Sequence, residues 1–599
     1  MIVADFRIMK LSDMKYKNLT SGFILFFLQV IVLFYVFRFL YPFKEQFQMF
    51  QFTGQYAAAT WKQAGGVALY LSEFLSQFYI IIGIGPVITA FLLTLVAIVS
   101  SLILKKISIR NDLPVVFFLP WLSLLIMHLD YDYLEQGTIA YLFLLLFLWI
   151  YVNLSPRIRL VYGLCIIPLL YLIAGPITHL FAVSALLLEF LTNGTKKYIC
   201  IIYLPVAVLS AVGGCYLGYS TNISMAFFPD AYYNPQVHNS QICYSWYALP
   251  AAMLLAAFLK KYHSPVSFKG KCWWEGFQWA IIFLLGYESI IHFGKIDALD
   301  QFQQDYYVRT GQWGKIISGF DQTVLSKRRM CNLNLALAQT GQLSERLFDY
   351  PQGGIETLML RWDQSVFTAE LHSDLYYCMG IISTSQKFAF EALVSSRPSG
   401  NPRMLKRLVE TNIITGAYPV AEKYIRLLEN TWHYKEWASS YRRFLQNDQA
   451  VEQDPVLGLK RRCWKAEAAI PELYTDPVST LTHLVPACPD NKSGLQYLTS
   501  FLLLNKDIGT YMVLQESLFR TPAWPEMTDS QQEAVVICRP DDPRFWLEHG
   551  VSVKVRNQAL AFMQKVKEGT RFGQNPAVVL APEFGKTYWF YYMFNTMDK

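Results

Sequence analysis

Charge is scarce in this chain of 599 residues: Lys, Arg, Asp and Glu make up 16% of it, where soluble globular proteins carry about 25%. Hydrophobic residues make up 53%. This composition excludes a disordered chain and a nucleic-acid-binding polymer, and it speaks against a wholly soluble enzyme. The chain also lacks a phosphate loop and any GxGxxG, HExxH or GxSxG motif with the right flanks. Nucleotide, zinc-protease and serine-hydrolase chemistry of the soluble type therefore has no residues to rest on.

Cysteine is also sparse. Five of the ten, Cys331, Cys378, Cys463, Cys488 and Cys538, lie in the C-terminal half at wide, irregular spacing, which matches neither a disulfide framework nor a zinc site. Buried free thiols are expected.

What the sequence does have is long apolar runs. A membrane-spanning helix needs roughly 20 mostly apolar residues, and nine stretches qualify: 21–41, 78–104, 113–129, 137–154, 160–175, 177–192, 198–218, 242–259 and 273–293. The fifth and sixth meet at Gly175-Pro176 and read either as two short crossings or as a re-entrant pair. The first run is too long and lacks the small-residue site of a cleavable signal, so a retained anchor is expected.

The first 295 residues hold 19 Lys and Arg against 12 Asp and Glu, while the remaining 304 hold 33 of each. All net positive charge thus lies in the apolar part. Fifteen of the 19 fall at the N-terminus and in every second loop: Arg7, Lys10, Lys15, Lys17; Lys105, Lys106, Arg110; Arg157, Arg159; Lys196, Lys197; Lys260, Lys261, Lys269, Lys271. Cytoplasmic loops keep the excess of Lys and Arg, so nine crossings from a cytoplasmic N-terminus place the C-terminal half outside. The expected fold is all-α: a polytopic helix bundle over 1–295, an exported tetratricopeptide-like solenoid over 296–521, and a cap over 522–599.

The solenoid expectation rests on two segments, 331–350 and 408–431, in which two apolar-periodic helices flank a Thr-Gly turn, and on a looser copy at 306–320. Gly311 to Gly341 is near one tetratricopeptide period, and Gly341 to Gly416 is near two. Such solenoids present a concave surface to a protein or peptide partner. An irregular helical domain without a true repeat is the other reading.

The first outer loop, 42–77, mixes aromatic and apolar residues with Gln, Lys and Glu at helical spacing. It reads as surface-lying amphipathic helices broken at Gly65-Gly66, or as a plain loop with aromatic anchors. Glu45 follows the first span directly. The second outer loop, LDYDYLEQG, holds Asp130, Asp132 and Glu135 with no Lys or Arg near them in sequence. Acids two apart can hold a divalent cation, Mg or Mn, through oxygen ligands, and Glu45 can act as general base on an acceptor hydroxyl. The plainer reading is a short hairpin whose acids keep it solvated.

His179, Glu189 and Glu288 fall inside expected spans. His179 is placed to contact a lipid phosphate, and each of the three can instead pair with a neighbouring helix. Arg38 can snorkel to headgroups or bind an anion such as a donor phosphate. The Tyr- and Phe-rich loop 219–247 reads as an aromatic belt rather than a sugar-stacking surface.

The segments FKEQFQMFQFTGQY and GGVALYLSEFLSQFY resemble the N-terminal signature of an uncharacterised family of bacterial polytopic inner-membrane proteins with a helical soluble half. The places of Glu45 and of Asp130-Tyr131-Asp132 resemble those of acids in lipid-linked-sugar glycosyltransferases of the type C fold. That resemblance implies transfer of a sugar from a polyprenyl-phosphate donor to an outer-face acceptor. This chain departs in having Glu where Asp is common, a very short second loop and no further donor motif. The competing hypothesis is a non-catalytic anchor whose exported repeats bind envelope proteins. A transporter ranks third, because the spans show no duplicated halves.

Overall fold

A computed structural model describes residues 22–107, 114–192, 198–220, 223–233, 244–259, 268–321, 326–396, 400–470, 476–571 and 575–595. Among these every regular element is helical, and the only β pairings are isolated bridges, Tyr133 with Tyr233 and Phe519 with Trp524. Of the residues expected to set orientation, Arg7, Lys10, Lys15, Lys17, Arg110, Lys196, Lys197, Lys260 and Lys261 lie outside the described residues. The chain divides into two units: Met1–Gln303 with Asn430–Trp432, and Gln304–Glu429 with His433–Lys599.

In the first unit the helices are α1 (Gly22–Phe37), α2 (Leu40–Glu45), α3 (Gly54–Trp61), α4 (Gly66–Ser76), α5 (Ile84–Ile107), α6 (Pro114–Phe117), α7 (Leu119–His128), α8 (Glu135–Asn153), α9 (Pro156–Ala174), α10 (Thr178–Leu191), α11 (Tyr203–Tyr216), α12 (Ile223–Phe227), α13 (Tyr244–Leu259) and α14 (Phe268–Phe293). Five runs are long and apolar enough to cross a membrane: α5, α8, Pro156–Leu191, Ile199–Tyr216 and Trp273–Phe293. The apolar helices α1, α7 and α13 are shorter.

The run Pro156–Leu191 is folded in two. Arg159, near the start of α9, has its Nη1 3.1 Å from Oε1 of Glu189, near the end of α10; in one straight helix they would stand about 45 Å apart. The reversal occurs at Gly175, whose φ is +80°, a value that glycine adopts without penalty. Tyr232 bridges the broken backbone. Its hydroxyl donates to the Ala174 carbonyl at 2.5 Å and accepts the Ile177 N–H at 3.1 Å, which keeps buried backbone groups paired.

The Arg159–Glu189 pair also shows how the helices alternate. Tyr151 at the end of α8 donates to Glu189 at 3.2 Å, and its hydroxyl meets that of Tyr203, at the start of α11, at 3.3 Å. Four consecutive helices thus bring alternate ends to one polar point. Glu189 therefore has the pairing role open to it, whereas Glu288 lies on an exposed face of α14.

The first loop does form helices, α3 and α4, broken at Gly65 (φ +74°). Thr53 caps α3 by accepting the Tyr56 N–H at 3.2 Å. α4 packs on α8 and α9, and the Gly65 N–H donates to the Tyr171 and Leu172 carbonyls, both at 3.1 Å. A Cβ on Gly65 would sit 3.0 Å from the Ala174 carbonyl carbon, so a side chain there would drive the segments apart.

The second unit is built from helix hairpins with one recurring turn. Gln312, Gln342, Ile381, Ala417, Asp507 and Val551 each donate their N–H to the carbonyl five residues back, at 2.7–2.9 Å. The residue before each, Gly311, Gly341, Gly380, Gly416, Lys506 or Gly550, has a φ between 56° and 85°. This is the Schellman ending of a helix. Gly380 supplies the turn between Gly341 and Gly416 that lacks a Thr-Gly signal. The turns are unevenly spaced along the chain. One apolar core runs from Val308 to Tyr591, so residues assigned to solenoid and cap share it.

A buried charge network crosses that core. Arg403 pairs with Asp305 (2.7 Å), Asp374 (2.5 Å) and Glu370 (3.4 Å), and Arg407 pairs with Asp374 (2.9 Å) and Glu410 (2.8 Å). Cys331, Cys378, Cys463 and Cys488 are buried free thiols as expected, whereas Cys538 is exposed.

Candidate functional site

The turn between α7 and α8 carries Asp130, Asp132 and Glu135, each only 3% exposed. The expectation of a solvated hairpin is thus overturned. Aromatic rings cover the turn: Tyr131 lies 6.1 Å from Phe43 on α2 and 5.7 Å from Phe302. Asp130 Oδ1 accepts the Asp132 N–H at 3.1 Å, which closes a tight Asx turn.

The acids are close to lysines in space, although none is near them in sequence. Lys295 Nζ is 3.2 Å from Asp130 Oδ1 and 4.4 Å from the centre of the Tyr131 ring. Lys44, 7% exposed, donates to the His128 carbonyl at 3.4 Å. Burial pushes the Lys44 ammonium below its ordinary value, while Glu135, Asp130 and Asp132 pull it back up. Burial, and then Asp132, raise the Tyr131 phenol.

Glu135 opens α8, where the helix dipole favours an anion. Its Oε1 accepts from Thr89 at 2.8 Å and from the Tyr79 hydroxyl, and stands 3.5 Å from His128 Nδ1. His128 Nε2 in turn meets Thr138 Oγ1 at 2.7 Å. Glu135 Oε2 is buried without a hydrogen-bond partner among the described residues. The arrangement is that of a carboxylate held by three side chains, one of them oriented in turn by Thr138, with one oxygen left for a further proton or ligand.

Glu45, the last residue of α2, is equally buried, and its Oε2 accepts from the Gln46 amide. Its helix adjoins the acidic turn through Phe43, whose ring meets Tyr131, and through Lys44, which reaches the His128 carbonyl. Among the described residues no three His, Cys, Asp or Glu are grouped to hold a metal ion. Asp130 and Asp132 offer two carboxylates, and a cation there has to displace the Lys295 ammonium.

Arg38 and His179 occupy other places. Arg38 packs on the Phe39 ring, 4.9 Å from its centre, and borders a cavity of about 170 Å³ with Tyr35, Leu299, Asp300 and Gln303. His179 stacks flat on Phe227, ring centres 5.2 Å apart, with its Nε2 unpartnered among the described residues. In the aromatic loop Tyr232 and Tyr233 are buried, with Tyr233 packed on Tyr133 at 5.5 Å, while Phe228, Tyr244 and Tyr247 are exposed.

Sequence reading did not single out Lys44, His128, Tyr79 and Lys295. The one available signal was Lys44 itself, a lysine flanked by aromatics beside Glu45. No curated protein and no solved structure matches the chain. Residues 15–595 match a family of unknown function, DUF6057, and the chain belongs to that family.

Proposed function

We propose that the protein is a multi-pass membrane enzyme that moves a sugar, or a related group, from a polyprenyl-phosphate carrier to an acceptor hydroxyl at the outer face of a bacterial inner membrane. Five long apolar runs, one of them folded in two, and three shorter apolar helices among the described residues support the reading of nine crossings. The distribution of Lys and Arg supports a cytoplasmic N-terminus and an extracytoplasmic second unit. The hairpins of that unit are read as a tetratricopeptide-like surface for the acceptor or a protein partner.

The observation that supports this reading is the burial of Asp130, Asp132 and Glu135 beside Lys44 and His128, with Glu45 buried next in sequence to Lys44. Burying so many ionisable groups is costly, and such clusters concentrate at functional sites. Glu45 accepts the proton of the acceptor hydroxyl, with Glu135 as the alternative base. As the new glycosidic bond forms, the bond from sugar to phosphate breaks and the polyprenyl phosphate leaves with its electron pair. Asp130 and Asp132 would hold a divalent cation in place of the Lys295 ammonium, and that cation would supply charge neutralisation for the donor phosphate. Arg38 and His179 take lipid phosphate at the flanks.

The test is envelope-glycan profiling of a deletion strain complemented with wild type, Glu45→Gln, Glu135→Gln or Asp130→Asn/Asp132→Asn at matched membrane levels. Loss of a glycan product with folded protein supports transfer. Full complementation by all variants sinks it.

A membrane-anchored scaffold is the second reading, favoured by the partners these acids already have. Asp130 is paired with Lys295, and Glu135 is held by Thr89, Tyr79 and His128. The second unit also carries an open groove of about 380 Å³ bordered by Lys387, Phe390, Asn412, Val420 and Tyr424. On this reading the acid variants complement, and substitutions in the groove do not.

A further inference from the structure

We infer that Cys463 and Cys488 are a dithiol site that closes to a disulfide between two helices of the second unit. Cys463 lies on the helix Leu457–Ala468, and Cys488 ends the helix Pro477–Ala487. The two helices pack on each other. The sulfurs are 3.2 Å apart, one thiol hydrogen-bonded to the other, and both residues are buried. A disulfide requires about 2.05 Å, so an approach of about 1.2 Å completes it.

The surroundings suit thiolate chemistry. The Lys460 ammonium, buried one turn before Cys463, donates to the Cys378 carbonyl at 2.9 Å. The hydrogen bond from Cys463 and the nearby Arg462 and Lys460 cations lower the Cys488 thiol, against the opposing effects of burial and Asp490, while Cys463 is pushed up. Cys488 is accordingly the attacking sulfur and Cys463 the second. The pair also abuts a turn that orders the unit. A Cβ on Gly380 would lie 3.2 Å from Cys463 Sγ, and Asn491 donates to the Met379 carbonyl at 2.7 Å.

The oxidant is a small-molecule or protein disulfide. The Cys488 thiolate attacks one of its sulfurs and releases the first thiol. Cys463 gives up its proton and attacks Cys488 Sγ, releasing the second. Two protein thiols lose two protons and two electrons, and one oxidant disulfide becomes two thiols.

The geometry of the pair stands without any assignment of membrane sidedness; only its state in cells rests on the proposed export of the second unit. The full-length protein, purified in detergent, is treated with oxidised glutathione, denatured, and labelled with a maleimide mass tag. The expected result is, after non-reducing digestion, a peptide linking Cys463 to Cys488, with two tags lost beyond those that glutathione blocks on exposed thiols such as Cys538. Cys463→Ser and Cys488→Ser each abolish the linked peptide, and Cys378→Ser leaves it. The inference is overturned if exposed Cys538 takes glutathione while the linked peptide stays absent. Acid-quenched cells supply the separate reading: a pair that closes in detergent but is found reduced in cells upholds the dithiol site and overturns the export of the second unit.

Discussion

Lys295 Nζ stands 3.2 Å from Asp130 Oδ1 across 165 residues of sequence. It does so from a backbone with φ +41°, a region that side chains other than glycine rarely occupy. A lysine held in that conformation beside a buried acid gives the pair a structural stake in addition to any chemical one.

Lys295→Met should lower stability by about 1–2 kcal/mol, less than for a fully buried pair because the lysine side chain is half exposed. Adding Asp130→Asn should recover part of the loss by removing the orphaned charge. Thermal unfolding in detergent reads both, and an unchanged single variant argues that water already serves Asp130.

Tyr232→Phe removes one oxygen that serves two backbone groups of the broken hairpin, Ala174 O and Ile177 N. The expected loss is about 1–3 kcal/mol. A stability equal to wild type means that the reversal at Gly175 does not depend on this bridge.

In the second unit, Arg403 answers three buried carboxylates. Arg403→Met leaves them uncompensated and should cost about 3–5 kcal/mol. Denaturant unfolding of the full chain should show a lowered midpoint for the transition of this unit alone. A variant as stable as wild type would refute a structural role for the network.

Glu533 is buried behind the Tyr588 N–H, which it accepts at 2.6 Å. Burial raises its carboxyl from 4.5 to about 8. Below pH 4.5 both folded and unfolded chains hold the proton, and there is no pH effect. Between pH 4.5 and 8 only the folded chain holds it, so stability falls as pH rises, on the order of 5 kcal/mol in all. Above pH 8 the fall ends. Glu533→Gln should flatten this slope in a pH series of unfolding midpoints, and a slope equal to wild type assigns the effect to another group.

The apolar runs could be read from composition because a spanning helix advertises itself locally. Gly175-Pro176 marked a break but not its direction, which depends on Arg159 and Glu189 meeting from opposite ends. The acids of LDYDYLEQG stood out for the same local reason. Their partners did not, since Lys44, Thr89 and Lys295 come from segments far apart in the chain. In the second unit Thr-Gly turns at Gly341 and Gly416 could be recognised, whereas Gly380 follows Met and the turn at Lys506 has no glycine at all. The same backbone ending arises there from packing rather than from a residue signal.

The contact of Gly65 with the α9–α10 reversal also bears on the order of assembly. A chain emerging from the ribosome makes the loop with Glu45 long before it makes Tyr171 and Leu172, whose carbonyls receive the Gly65 N–H. The loop cannot take its seat until the later hairpin has been synthesised and packed. The seat of Gly65 is therefore completed only after residues 171–174 have been made, although the loop is encoded well before them.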